Sequence, residues 1–168
     1  LVFYKMIKQF LLGNSTVVAW SLIVGGGAMI LIEIYCARRR ATSRDTLTYK
    51  EAALSGVFQA IAMIPGVSRS AATIMGGLLM GISSATITEF SFLIAVPTMA
   101  AASVLDLWKS ASNFSFAQFD LLAVGFITSF IVALASITWL LKYVRTHTFT
   151  AFGVYRILAG VAFLFFIQ

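Results

Sequence analysis

The sequence predicts an all-α integral membrane protein, a polytopic helical bundle that carries one re-entrant helical hairpin. Three observations predict it. Hydrophobic residues fill 60% of the 168 positions and charged residues only 11%, with a mean hydropathy of +0.96, and such a chain cannot be folded around a water-soluble core. Several uncharged runs reach the roughly 20 residues that a helix needs to cross a bilayer. Two further apolar stretches, on either side of Pro65-Gly66, are each too short to do so.

Taken in order, residues 16–35 form the first spanning helix, since only Glu33, near the end, interrupts their apolar character. Gly25-Gly26-Gly27 lies in its middle, where missing side chains let a neighbouring helix approach closely; a flexible kink is the plainer reading. Arg38-Arg39-Arg40, Arg44 and Lys50 follow as the densest basic cluster, and beside a spanning helix that cluster marks a cytoplasmic loop. A polybasic patch also suits anionic lipid headgroups, and in a soluble protein nucleic acid, but no nucleic-acid role is expected here.

The hairpin covers residues 52–81. Its first apolar arm, residues 52–64, is about 13 residues or some 20 Å of helix, so it should stop near mid-bilayer at Pro65-Gly66. Ser68 is available to cap a second short helix that ends at Gly81. Residues 85–107 make the next span, with Glu89 near the start and a kink expected at Pro97. A polar loop between Asp106 and Asp120 includes Lys109, Ser110, Ser112, Asn113 and Ser115, and its low basic content suits the outer side. Residues 121–141 return to a second basic loop with Lys142, Arg145 and His147, and residues 149–167 cross again.

The chain opens at Leu1 within an apolar run, without a secretory signal, and is read as a fragment of one membrane domain spanning 1–168. One cysteine, Cys36, excludes an intrachain disulfide, and a lone His147 cannot build a histidine cluster. Zinc and redox chemistry are therefore not expected.

Chemistry concentrates at Pro65-Gly66-Val67-Ser68-Arg69-Ser70-Ala71-Ala72-Thr73. An arginine at membrane depth is tolerated mainly where it faces a water-filled cavity or an anionic partner. Phosphate recognition needs a cation, neutral donors and oriented backbone amides, and Ser68, Arg69, Ser70 and Thr73 at a helix start offer all three. Thr73 lies four residues after Arg69 and three after Ser70, which puts the three on one helical side. Gly66 allows the backbone turn, and Gln59, on the incoming arm, is placed to orient a phosphate or a water. Competing readings stand beside these. Serine and threonine hydroxyls commonly return hydrogen bonds to the preceding helical turn, Arg69 could pair with Glu89 or Glu33, and Gln59 could bridge helices. Glu89 is a candidate metal or proton ligand or a solvated interfacial carboxylate, and the 15 phenylalanines face lipid, pack between helices or line a groove for a long chain.

Gly56-Val57-Phe58-Gln59, the Pro65–Ser70 run with Thr73, Gly76-Gly77, Glu89-Phe90-Ser91-Phe92 and Val96-Pro97 together resemble the bacterial undecaprenyl-diphosphate phosphatases linked to bacitracin resistance. The resemblance runs from about Gly25 to the end and matches the carboxyl-terminal part of that family. It implies half or more of an inverted-repeat fold in which two re-entrant hairpins meet, and a multi-pass protein of the bacterial plasma membrane. It further implies removal of the terminal phosphate of a polyprenyl diphosphate lipid. By that resemblance Ser68, Arg69, Ser70 and Thr73 belong to the second signature motif; Gly66 and Gln59 stay substrate-binding candidates from their positions at the turn and on the incoming arm. A divalent cation, Mg or Ca, is implied too, on ligands from a first motif of paired glutamates, a serine-rich turn and a histidine that has no counterpart in this chain. Ala71 stands where the family usually has glycine. The expected partners are the lipid substrate and membrane lipids, with a homodimer allowed. The fragment alone should be inactive, because Arg69 can neutralise phosphate charge while no positioned base remains to activate a nucleophile. The rival reading is a secondary transporter or lipid flippase with a mid-membrane anion site, since broken helices also mark alternating access; a purely structural subunit ranks last.

Overall fold

Residues 15–38, 42–110 and 119–167 are described by a computed structural model. Arg39 and Arg40 of the basic run, and Ser112, Asn113 and Ser115 of the expected outer loop, lie outside the described residues. Among the described residues every regular element is helical, and an isolated bridge joins Arg44 to Ile82. The fold is thus the expected all-α membrane architecture, with three helices long and apolar enough to cross a bilayer.

Helix α1 (Ser15–Ala37) is apolar on all sides, as a helix between lipid and protein should be. Its principal partner is α6 (Thr150–Ile167), which runs antiparallel to it and forms the most extensive helix–helix interface. Small residues make the approach close. A methyl added at Gly160 would lie 2.9 Å from the Ala19 carbonyl, and one at Gly26 would lie 2.6 Å from the Gly153 carbonyl. In a bilayer, where lipid tails are as apolar as side chains, such backbone proximity is what favours association.

The hairpin is built from α2 (Tyr49–Ala60) and α3 (Arg69–Leu79). Thr48 opens α2 with a capping box: its hydroxyl accepts from the Glu51 amide at 3.4 Å while Glu51 Oε2 accepts from the Thr48 amide at 2.9 Å. Arg44 donates to the other Glu51 oxygen. The backbone bond from Thr48, then the contact with Arg44, hold the Glu51 carboxyl well down, at about 2 instead of 4.5. A carboxylate depressed in the folded state contributes stability that is present above its unfolded value and lost as pH falls through the folded one. Amide protection of the first turn of α2 should therefore decline between about pH 4.5 and pH 2, and Glu51→Gln should flatten that decline; hydrogen exchange across this range checks it.

The arm does not stop at Ala60. A 3-10 turn, Ile61–Met63, carries it onward, and Ile64 is extended (φ −74°, ψ 122°) as the residue before a proline is pushed to be. Pro65-Gly66 then make a tight turn closed by the Val67 amide on the Ile64 carbonyl at 3.1 Å, with Gly66 at φ +89°. Proline followed by a positive-φ glycine is the pattern of a type II turn. The turn brings the tip beside Val18 and Ser21 of α1.

At the other end of the hairpin the structure is tied down. The Arg44 amide donates to the Gly81 carbonyl at 3.0 Å and the Ser83 amide to the Arg44 carbonyl at 2.8 Å. The packed core sits here, with Met29, Cys36, Ile74, Met75, Leu78, Ile82, Ile87, Val144 and Phe149 buried together. Helix α4 (Ser84–Ser110) leaves this core, contains Pro97, and packs against α5 (Phe119–Thr146). Both expose most of their apolar side chains, which lipid solvates without penalty. The hairpin tip thus lies at the end of the hairpin opposite this core.

Candidate functional site at the hairpin tip

Ser68 is the N-cap of α3, and its Oγ accepts from the Ala71 amide at 3.3 Å. Ser70 Oγ lies 3.2 Å from Ser68 Oγ, and Ser70 is exposed. These two hydroxyls lie beside the first amides of α3, at the positive end of an 11-residue helix, with Ser70 exposed and Ser68 half-buried. Arg69 follows the cap and donates from Nη1 to Thr98 Oγ1 at 2.7 Å. Thr98 passes that polarity to the backbone of α4, donating at 3.0 Å towards the carbonyls of Ile94 and Ala95 beside Pro97. Arg69 is thus braced by a neutral hydroxyl, while Glu89 faces Arg145 across 3.4 Å at the surface. An ion pair at that exposure contributes little.

Thr73 is 1% exposed and donates to the Arg69 carbonyl at 3.1 Å. Its hydroxyl braces the first turn of α3 from within. Gln59 shares with Arg69, Gly56, Ile94 and Thr98 the wall of a cavity of about 450 Å³ between α2 and α4. Ser68 lies on the other side of the turn, on a larger and almost wholly apolar cavity of about 470 Å³ bounded by α1 and the hairpin. The residues nominated from sequence are therefore gathered at one tip but distributed over two faces: Arg69 and Gln59 on one, Ser68 on the other, Ser70 outward, Thr73 inside.

Four participants were not nominated. Thr98 is the brace of Arg69, Ser21 and Val18 form the floor beneath Gly66, and Arg156 of α6 donates from Nη2 to the Gly66 carbonyl at 2.8 Å. The Arg156 signal was legible: an arginine inside an otherwise uncharged apolar segment raises the same question as Arg69. His147, by contrast, is exposed and stacked on Tyr143 away from the tip. No group of three or more His, Cys, Asp or Glu side chains converges among the described residues. The described residues of this tip therefore do not fit a divalent cation on their own.

The arrangement can hold a tetrahedral anion. A guanidinium, two hydroxyls and a helix N-terminus offer charge-assisted and neutral donors at one tip, with Ser70 and the first amides of α3 outward and Arg69 on the adjoining face.

The sequence profile described as Bacitracin resistance protein BacA matches residues 1–162. Among the relatives, the undecaprenyl-diphosphatase of Aquifex aeolicus is 47% identical over 165 residues, covering 97% of this chain and 64% of that protein. The undecaprenyl-diphosphatase of Bdellovibrio bacteriovorus is 46% identical over 162 residues (95% and 62%), and that of Methanococcus aeolicus 43% over 168 (99% and 65%). The chain therefore spans a little under two thirds of the length of these relatives. With a match along nearly its whole length and identities above 40%, the chain belongs to the bacitracin resistance protein BacA family.

Proposed function

We propose that the full-length protein hydrolyses undecaprenyl diphosphate in the bacterial plasma membrane, and that this chain supplies the part of the site that holds the phosphates. The observation that carries the reading is Arg69 at the N-terminus of α3, braced by Thr98 on a cavity that Gln59 also lines. The names of the relatives support the same substrate for this chain. In the reaction, a water oxygen bonds to the terminal phosphorus, the bond from that phosphorus to the bridging oxygen breaks, and the products are the lipid monophosphate and inorganic phosphate. Arg69 offsets the negative charge on the transferring group, and the first amides of α3 with Ser70 hold its oxygens. Ser68 fixes the amides in place by capping the helix. A divalent cation belongs to this reading, on acidic ligands supplied from outside this chain.

The test is direct. Purified full-length protein in detergent should release one inorganic phosphate for each C55 lipid diphosphate converted to monophosphate. Movement of intact diphosphate across sealed vesicles, with no phosphate released, would replace the enzyme with the transporter.

A further inference from the structure

Arg156 is the only charged residue of α6, and its Nε is buried without a hydrogen-bond partner among the described residues. A half-buried cation with an orphaned buried donor lowers stability relative to a well-packed apolar side chain of similar size. Its presence calls for a role other than packing. Two features of the fold are shaped around it. Gly25 of α1 leaves the space that the guanidinium occupies, since a methyl there would come within 2.9 Å of Arg156 Nη2. Beyond that gap, Nη2 reaches the Gly66 carbonyl at 2.8 Å. The same carbonyl belongs to the residue at φ +89° whose Cα is pressed against Val18 and Ser21, two residues before the Ser68 cap and three before Arg69.

We propose that Arg156 is a positioning residue: by donating to the Gly66 carbonyl it fixes the orientation of the Pro65-Gly66 turn and so sets where Ser68 and Arg69 meet a phosphate, a role that rests on the phosphate-holding reading of that turn. The physical reason is leverage. The turn's internal closure is a single bond from Val67 to Ile64, and rotation of the Gly66–Val67 peptide would swing the cap and the start of α3 together. A charged donor on that peptide's oxygen, carried by a helix locked against α1, removes the freedom.

The test uses the full-length protein with Arg156→Met, Arg156→Lys and Gly25→Ala. Arg156→Met should lower kcat on the lipid diphosphate by about 10- to 100-fold with KM within about threefold, the pattern of a misplaced rather than a missing contact. Arg156→Lys, which still offers one donor to one carbonyl, should recover to within about fivefold of the parent. Gly25→Ala, which displaces only the flexible end of the side chain, should fall between them. Independently of turnover, hydrogen exchange at the Val67 and Ala72 amides should quicken in Arg156→Met while α1 and α6 stay protected. Unchanged kcat with unchanged exchange overturns the proposal, as does a loss carried by KM alone or exchange that rises evenly through all helices. If the unaltered protein releases no phosphate, the enzymatic reading falls, and the exchange pattern still decides whether Arg156 fixes the turn. Should Arg156→Met not fold, the same two readouts on Gly25→Ala decide it.

Discussion

Arg69→Ala in the full-length protein is expected to cut phosphate release by about 10²- to 10³-fold, the usual loss when one donor to a developing oxyanion is removed. Arg69 is partly exposed on its cavity, and its bond to Thr98 is a neutral one, so the substitution removes a cation without orphaning a buried carboxylate. The thermal midpoint should therefore move little while activity collapses. Arg69→Lys keeps the charge but loses the planar fork that can grip two phosphate oxygens at once, and an intermediate loss of about tenfold is expected. Thr98→Val, which removes the brace and leaves the guanidinium, should cost less than either. Initial rates of phosphate release for the three variants check the order. Retention of activity within twofold in Arg69→Ala would remove the basis of the phosphate-holding site.

The second large effect is expected at Gly66, where Gly66→Ala should impair both folding and activity. A β-carbon at φ +89° costs about 1–2 kcal/mol in backbone strain. It would also lie 2.7 Å from the Val18 carbonyl and 3.0 Å from the Val18 Cα, backbone atoms that cannot rotate away, adding roughly 1–3 kcal/mol of overlap. Gly66→Asn separates the two causes, since asparagine tolerates the left-handed region but carries the same β-carbon. Both variants should melt below the parent and lose more than about tenfold in activity if the overlap with α1 dominates; recovery by Asn would assign the effect to strain alone.

Much of this was written in the residues themselves. Composition and run length are enough for an all-α membrane class, because hydrocarbon admits only helices or closed barrels. Pro65-Gly66 marks the break in the hairpin, since proline stops a helix and glycine takes the positive φ that follows. The change from α-helix to a 3-10 turn at Ile61–Met63 was not visible, because that segment has the same apolar composition as the helix before it. The division of the site over two faces was equally hidden. Helical spacing places Arg69, Ser70 and Thr73 on one side, but Thr73 spends its hydroxyl on the Arg69 carbonyl and Ser68, as cap, points across the turn from Arg69. Thr98 and Arg156 meet the turn from 29 and 90 residues away, and no local periodicity carries contacts of that range.

The antiparallel contact of α1 with α6 gives the chain a particular order of assembly. Ninety positions separate Gly66 from the guanidinium that fastens it, so during synthesis the turn is made long before its clasp. Until α6 emerges and packs back beside α1, the tip lacks that clasp, and the arrival of α6 fixes it. A ribosome that stops early would thus leave behind a membrane-inserted product whose helices are sound but whose mouth was never set.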